Sequence, residues 1–360
     1  MPPAIVCVPA RDEAERLPRL LRSLDGQAGF SPEERLRVVV VANNCSDGTA
    51  DIVRALEASG AIPNLDLRLI EVQVAGAAAH VGTARRMALE AGADWFAADG
   101  IRDGILLTTD ADVRPPAGWV AANLRALAEA DVVGGRLVID AEDEAADPLL
   151  ADLHLRIERY WAGVRTLEDI FDPPPHDPSP RHGDHTAASL SVSATLYRAV
   201  GGLPAIPCGE DNALVGRLQQ AGARVRHCPA VYVDVSGRRQ GRVTGGMATE
   251  MNRRAEAVRA GASPYRLPTA GHWQALILRR ARLRRAWTLT EAARDAVLAE
   301  LGLGPEDRAA IAPETCPNDI AFVERANLRL EARDAPAPFV DLDAALSDLD
   351  AIARLHRAAA

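Results

Sequence analysis

Two aspartates one residue apart, Asp110 and Asp112, close the strand-like run Leu106-Leu107-Thr108-Thr109. Carboxylates at that spacing suit a hard divalent cation, Mg²⁺ or Mn²⁺, that also holds phosphate oxygens, because such ions prefer oxygen ligands. In an extended chain residues i and i+2 point to one side, so both side chains are expected to meet one metal. The same residues also suit an ordinary turn, or the start of a helix opened by Pro115-Pro116. Much further along, Glu210 and Asp211 form a second carboxylate pair after Cys208-Gly209. One of them could take a hydroxyl proton as general base; the alternative is a capping group and a first-turn charge.

Two more polar signatures follow apolar runs. Pro9-Ala10-Arg11-Asp12-Glu13 ends the first, and Asn43-Asn44-Cys45-Ser46-Asp47-Gly48-Thr49 ends the second and leads into a helix. Free amides and the dipole at a helix start near Gly48 favour anions. Asp47 could accept a hydrogen bond from a base ring N–H, or simply cap the helix.

These signatures need elements to carry them. Ala4 to Pro9 reads as a buried strand, Glu13 to Leu24 as a helix, and Leu36 to Ala42 as a β-branched strand. Gly48 to Ala58 (helix), Leu65 to Val74 (strand), Gly82 to Ala91 (helix), Gly104 to Thr109 (strand), Gly118 to Ala130 (helix) and Asp131 to Asp140 (strand) continue the alternation. Such a pattern implies an α/β fold, a mostly parallel sheet covered on both faces, with ligands at the carboxyl ends of its strands.

After residue 141 the character changes. Leu149 to Thr166 reads as a helix. Asp172 to Pro180 holds five prolines and must be a loop, since proline removes donors and forbids helical neighbours. The following Arg181-His182-Gly183-Asp184-His185 is a candidate acceptor-contacting stretch or a solvated linker. Ser189 to Tyr197 reads as a strand, Asp211 to Gln220 as a helix, and Val225 to Val235 as a strand. Beyond Gly241 the chain is helical and arginine-rich. Arg279, Arg280, Arg282, Arg284 and Arg285 could lie on an anionic membrane or a phosphorylated acceptor, or form a solvated face partnered by the acidic tail Asp341 to Leu355.

Composition limits the function classes. The chain has 360 residues, 48% of them apolar, enough for one large or two modest domains. A net charge of −9 argues against generic nucleic-acid binding. All 41 basic residues are arginines, for which genome composition is the plain cause. Without lysine there is no Schiff-base nucleophile and no Walker-type phosphate lysine. Five scattered cysteines argue against a zinc site or a disulfide framework and are expected to be reduced and mostly buried. With no apolar run near the roughly 20 residues of a spanning helix, and no secretory leader, a soluble cytoplasmic protein is expected.

In order and spacing, Pro-Ala-Arg-Asp-Glu, Asn-Asn-Cys-Ser-Asp-Gly-Thr, Asp-Ala-Asp, Val200-Gly201-Gly202 and Gly209-Glu210-Asp211 resemble a non-processive family 2 glycosyltransferase. The resemblance runs from about Ala4 to Gly245. It implies a GT-A fold, Rossmann-like, over residues 1–245, with a nucleotide-sugar half (1–140) and an acceptor half (141–245), and a helical C-terminal region over 246–360. It further implies a nucleotide-diphosphate sugar donor, a hydroxyl acceptor and Mn²⁺ or Mg²⁺. Pro9, Arg11, Asp12, Glu13, Asn43, Asp47, Gly82, Arg85 and Asp110 would then surround the nucleotide. Asp112 would bind the metal directly, with Asp110 assisting. Asp211 would be the catalytic base and Glu210 would orient the acceptor, with His182 and His185 as further acceptor contacts.

The sequence departs from that family where many relatives carry a metal-binding histidine after the next strand. Here Asp234 or Ser236 stands in, or water, and His227 reads as a packed or exposed strand residue. Arg238, Arg239 and Arg242 are expected to clamp the diphosphate through a bidentate fork. The Gln-x-x-Arg-Trp motif of processive synthases is missing, which points to transfer of a single sugar. Inversion is expected, with retention as the alternative. A sugar-1-phosphate nucleotidyltransferase would need a glycine- and lysine-bearing loop that Pro9 to Arg16 lacks. A catalytically silent nucleotide- or partner-binding fold is the non-enzyme alternative.

Overall fold

The computed structural model describes residues 2–29, 34–140, 147–236, 247–260 and 265–359. Arg238, Arg239 and Arg242 lie outside them. The chain divides into two compact units: one of residues 1–143, 180–218 and 225–250, the other of 144–179, 219–224 and 251–360.

The first unit is built on a seven-stranded sheet of β1 (Ala4–Ala10), β2 (Leu36–Asn43), β3 (Leu65–Val72), β4 (Ile105–Thr108), β5 (Val132–Ile139), β6 (Leu190–Ser193) and β7 (Val225–Val235), in the order β3-β2-β1-β4-β6-β5-β7. Only β6 runs against its neighbours; the other pairs are parallel. Every residue of β1 is buried, as expected of a parallel strand covered on both faces. Val6, Val8 and Leu107 pack with Leu17, Leu20 and Leu21 of helix α1 (Leu17–Asp25). Ile5, Cys7 and Leu106 face α3 (Val81–Ala98), whose Gly92 comes so close that an added Cβ would sit 2.9 Å from the Cys7 Sγ. Helices α2 (Thr49–Ala58) and α4 (Trp119–Ala126) also belong to this unit.

Sequence and structure differ at three points here. Ser189 to Tyr197 is not one strand: after Ser193 the chain turns into helix α6 (Ala194–Ala199), with the Ser193 side chain accepting from the Leu196 N–H as its cap. The Asp110-Ala111-Asp112 segment lies beyond the end of β4 in a turn, so strand alternation does not set those side chains. Finally, α5 (Pro148–Phe171) belongs to the second unit, not to the acceptor half of the first.

In that second unit α5 lays Leu153, Ile157, Val164 and Leu167 against Leu342, Leu346 and Leu349 of the last helix, α13 (Leu342–Ala359). An amphipathic stripe fixes that a partner exists, and only tertiary packing selects which. The unit also holds α8 (Met247–Ala260) from Met251 on, α9 (Ala270–Trp287), α10 (Glu291–Glu300), α11 (Pro305–Ile311), α12 (Asp319–Glu331) and the small sheet of β8 (Arg266–Pro268) and β9 (Phe339–Asp341).

The arginine cluster on α9 is internal wiring, contrary to the membrane or phosphate-gripping reading. Arg279 pairs with Asp334, Arg280 with Glu324, Arg282 with Glu300, and Arg284 with Asp172 and Asp319. None of these partners lies in the acidic tail, whose Asp343 and Asp350 pair instead with Arg156 and Arg159. The cysteines are all free, but only Cys7 and Cys316 are buried; Cys208 is exposed. Among the described residues no helix is long and apolar enough to cross a membrane.

Candidate functional site

Because β1, β2 and β4 are parallel, the loops after them open at one edge of the sheet. The antiparallel β6 begins at that edge, where Leu190 lies opposite Thr108. The loop entering β6 therefore joins the others.

The β1 and β2 loops are laced together by the residues expected at the nucleotide. Asp12, in a left-handed conformation (φ 50°), accepts from the Ser46 N–H at 2.7 Å. Asp47 accepts from the Ala14 N–H at 2.9 Å and from the Thr49 N–H at 3.0 Å and hydroxyl at 2.5 Å. Although burial acts the other way, these hydrogen bonds hold the Asp47 carboxyl below its ordinary pKa. The Glu13 N–H donates to the Thr49 hydroxyl at 2.9 Å. Arg11 reaches the Ala79 carbonyl at 3.3 Å, and Pro9 is buried within β1. Asn43 is buried at the end of β2, and its Oδ1 has no hydrogen-bond partner among the described residues.

Gly82 is required by packing. An added Cβ would lie 2.1 Å from the Ile206 carbonyl oxygen, a backbone atom that cannot swing aside. Gly82→Ala is therefore expected to lower stability by about 1–3 kcal/mol, the usual cost of overpacking. Urea unfolding of the pure variant checks it, and an unchanged midpoint would refute it.

Arg85 is the hub of the edge. Its side chain is 3% exposed, and its guanidinium donates to Asp110 Oδ1 at 2.5 Å, Glu210 Oε1 at 3.1 Å, the Thr108 hydroxyl at 2.9 Å and the Ala187 carbonyl at 3.3 Å. Burial alone would lower the Arg85 pKa, but the charges of Asp110 and Glu210 outweigh it and hold the guanidinium above its ordinary value. The predicted nucleotide contact is thus a buried tie between two carboxylates from opposite sides of the crevice. Glu210 is 5% exposed, whereas the Asp110 side chain is 38% exposed and keeps a face toward solvent.

Asp112 has 17% of its side chain exposed, and its Oδ2 stands 3.8 Å from Arg16 Nη1. Asp234 is bound elsewhere. Its backbone exchanges two hydrogen bonds with Arg114, and its carboxylate lies 3.5 Å from Arg114 Nε, which makes it a structural partner of that arginine. Asp110, Asp112 and Asp234 do not close into a preformed cage. Among the described residues, the one group with three ligating atoms within 4.8 Å of one another is Asp12, Cys45 and Asp47. That group fits a hard cation poorly, because its third atom is a soft sulfur. The Asp110/Asp112 turn fits better: both supply hard oxygen and neither is fully buried, as suits an ion completed by waters and phosphate oxygens.

On the other side, helix α7 (Glu210–Gln220) presents both carboxylates in its first turn. Asp211 Oδ2 accepts from the Ala187 N–H at 3.0 Å, and Oδ1 accepts from the Asn212 N–H at 2.8 Å. In the same loop, His185 Nδ1 is 3.1 Å from His227 Nε2, and the His182 ring meets His227 edge-on with centroids 5.7 Å apart. Thus His185 reaches the neighbourhood of the proposed base. His227, read from sequence as an ordinary strand residue, joins it, as Arg16, Thr108 and Ala187 join Arg85 and the two acidic pairs. Only the position of Arg16, just after the first motif, could have flagged it beforehand; the others become neighbours through sheet topology.

The family model described as Glycosyl transferase family 2 matches residues 5–168. No curated protein matches the chain significantly. Among solved structures, the mannosyltransferase PcManGT from Pyrobaculum calidifontis, in complex with GDP-Man and Mn²⁺, is 17% identical, with 93% of this chain and 88% of that one covered and a TM-score of 0.46. S. aureus TarS 1-349 in complex with UDP-GlcNAc is 14% identical, with 95% and 99% covered and a TM-score of 0.46.

Proposed function

We propose, from the match of residues 5–168 to the glycosyl transferase family 2 model, that this chain moves one sugar from a nucleoside-diphosphate sugar to an acceptor hydroxyl with inversion. The observation that carries this reading is Arg85, buried and bonded to both Asp110 and Glu210, which brings a nucleotide-side carboxylate and the Glu210-Asp211 helix start to one edge of the sheet.

In this reading Asp211 takes the acceptor proton as the hydroxyl oxygen bonds to the anomeric carbon. The bond from that carbon to the diphosphate oxygen breaks, and its electron pair leaves with the nucleotide. Glu210, held by Arg85, orients the acceptor, with His182 and His185 beside it. Asp112 and Asp110 would hold Mn²⁺ or Mg²⁺, which when bound neutralises charge on the leaving diphosphate. Arg16, next to Asp112, adds a cation on the same side, and Arg238, Arg239 and Arg242 are proposed to bind the diphosphate. The β1 and β2 loops with Asp12, Glu13, Asn43 and Asp47 would form the seat of base and ribose, where the orphan Asn43 Oδ1 can accept an N–H.

Thermal stability measured against UDP, GDP, CDP, ADP and dTDP, each with Mn²⁺, Mg²⁺ or chelator, tests the reading. One nucleotide should raise the melting temperature in a metal-dependent way, and Asp112→Ala should abolish that rise. If none of the five raises it in wild type, the donor site is wrongly assigned.

A further inference from the structure

The loop 182–189 is fixed from three directions. An added Cβ on Gly134 of β5 would lie 2.2 Å from the Asp184 carbonyl oxygen and 2.9 Å from the His185 Cα, so the loop backbone rests directly on the sheet. The Asp184 carboxylate accepts from the Leu137 N–H at 3.1 Å, and the Asp184 N–H donates to His182 Nδ1 at 3.0 Å. At its far end the loop supplies the Ala187 N–H to Asp211 and the Ala187 carbonyl to Arg85. Between these anchors stands His185, 3.1 Å from His227 and two residues before Ala187, whose N–H meets Asp211.

We propose that His227 is a positioning residue for the transfer reaction: through its ring contact it fixes His185 and keeps it uncharged beside Asp211. The inference rests on the transferase reading above. A 3.1 Å nitrogen-to-nitrogen contact holds one N–H between two rings, so each ring fixes the tautomer of the other. Two cations at that distance would repel. A charged His185 would also stabilise the Asp211 carboxylate and weaken it as a base.

The electrostatics of the cluster agree. Burial pushes the His185 pKa below its ordinary 6.5, and His227 pushes it the same way; Asp211, Asn212 and the Gly183 backbone pull it back only in part. His182 and the Asp184 carboxylate are the other titratable groups of the cluster. The sign follows: the folded chain binds fewer protons at His185 than the unfolded one, so its contribution to stability is complete above 6.5 and declines as the pH falls below it.

The test compares the wild-type chain with His227→Ala and His227→Gln. Partners that orient a metal-bound imidazole typically carry about 10- to 100-fold; at the low end of that range, His227→Ala should lower kcat by about tenfold while leaving the donor KM unchanged. His227→Gln, which keeps a hydrogen-bonding group but cannot become a cation, should recover most of kcat. In that variant the acid limb of kcat and the imidazole NMR titration of His185 should both move to higher pH. Unchanged kcat, acid limb and His185 titration in both variants, with an active wild type, would overturn the role of His227 alone. A wild type that transfers no sugar from any donor, with the two imidazoles still coupled by NMR, would remove the transferase reading and this role with it.

Discussion

Asp211→Asn should lower sugar-transfer turnover by about 10²- to 10⁴-fold, the usual worth of a positioned general base, while nucleotide binding stays at the wild-type level. An amide of the same shape keeps one carbonyl oxygen for the two backbone N–H donors that now meet the carboxylate, from Ala187 and Asn212. Its NH₂ then faces the other donor, and the lost hydrogen bond should cost about 1 kcal/mol of stability. A hundredfold loss of rate already corresponds to about 2.7 kcal/mol in the barrier. The catalytic effect should therefore exceed the structural one. The checks are single-turnover transfer with a defined donor, and the nucleotide-induced melting shift on the same preparation. Normal turnover by the variant would remove Asp211 from the chemistry.

Removing Arg85 should be the most destabilising single change in the sheet unit. Glu210 is buried, so losing the guanidinium strands a carboxylate away from water, and breaking a buried pair in this way typically costs about 3–5 kcal/mol. Asp110 should add little, because its side chain is 38% exposed and water can replace the lost partner. Hence Arg85→Met should unfold at much lower urea, and Glu210→Gln in the same chain should restore much of the loss while Asp110→Asn should not. A double-mutant cycle measures this coupling directly. Equal recovery from the two second changes would show that burial does not decide which pair matters. Activity should not return with stability in the Arg85→Met, Glu210→Gln chain, because Glu210 is then neutral and untied.

Much of the fold was legible because its cause is local. The continuous apolar runs of β1 and β2 suit strands covered on both faces, and the leucine spacing of α1 suits an amphipathic helix. Local reading failed where neighbours decide. Ser189 to Tyr197 has strand composition throughout, but the Ser193 cap ends the strand early. The α9 arginines look like an exposed basic face, until helices distant in sequence bring Glu324, Glu300 and Asp319 to them.

The site divides in the same way. The sequence by itself determined which chemical groups were available: two carboxylate pairs, no lysine, and polar loops at the ends of parallel strands. Only the tertiary structure decided what each group touches. It made Arg85 a buried tie between Asp110 and Glu210, joined Asp234 to Arg114, and set His227 against His185. The physical reason is that residue type and spacing fix charge and reach, whereas burial and partners arise from strand order, which brings the start of the antiparallel β6 to the carboxyl edge of β4.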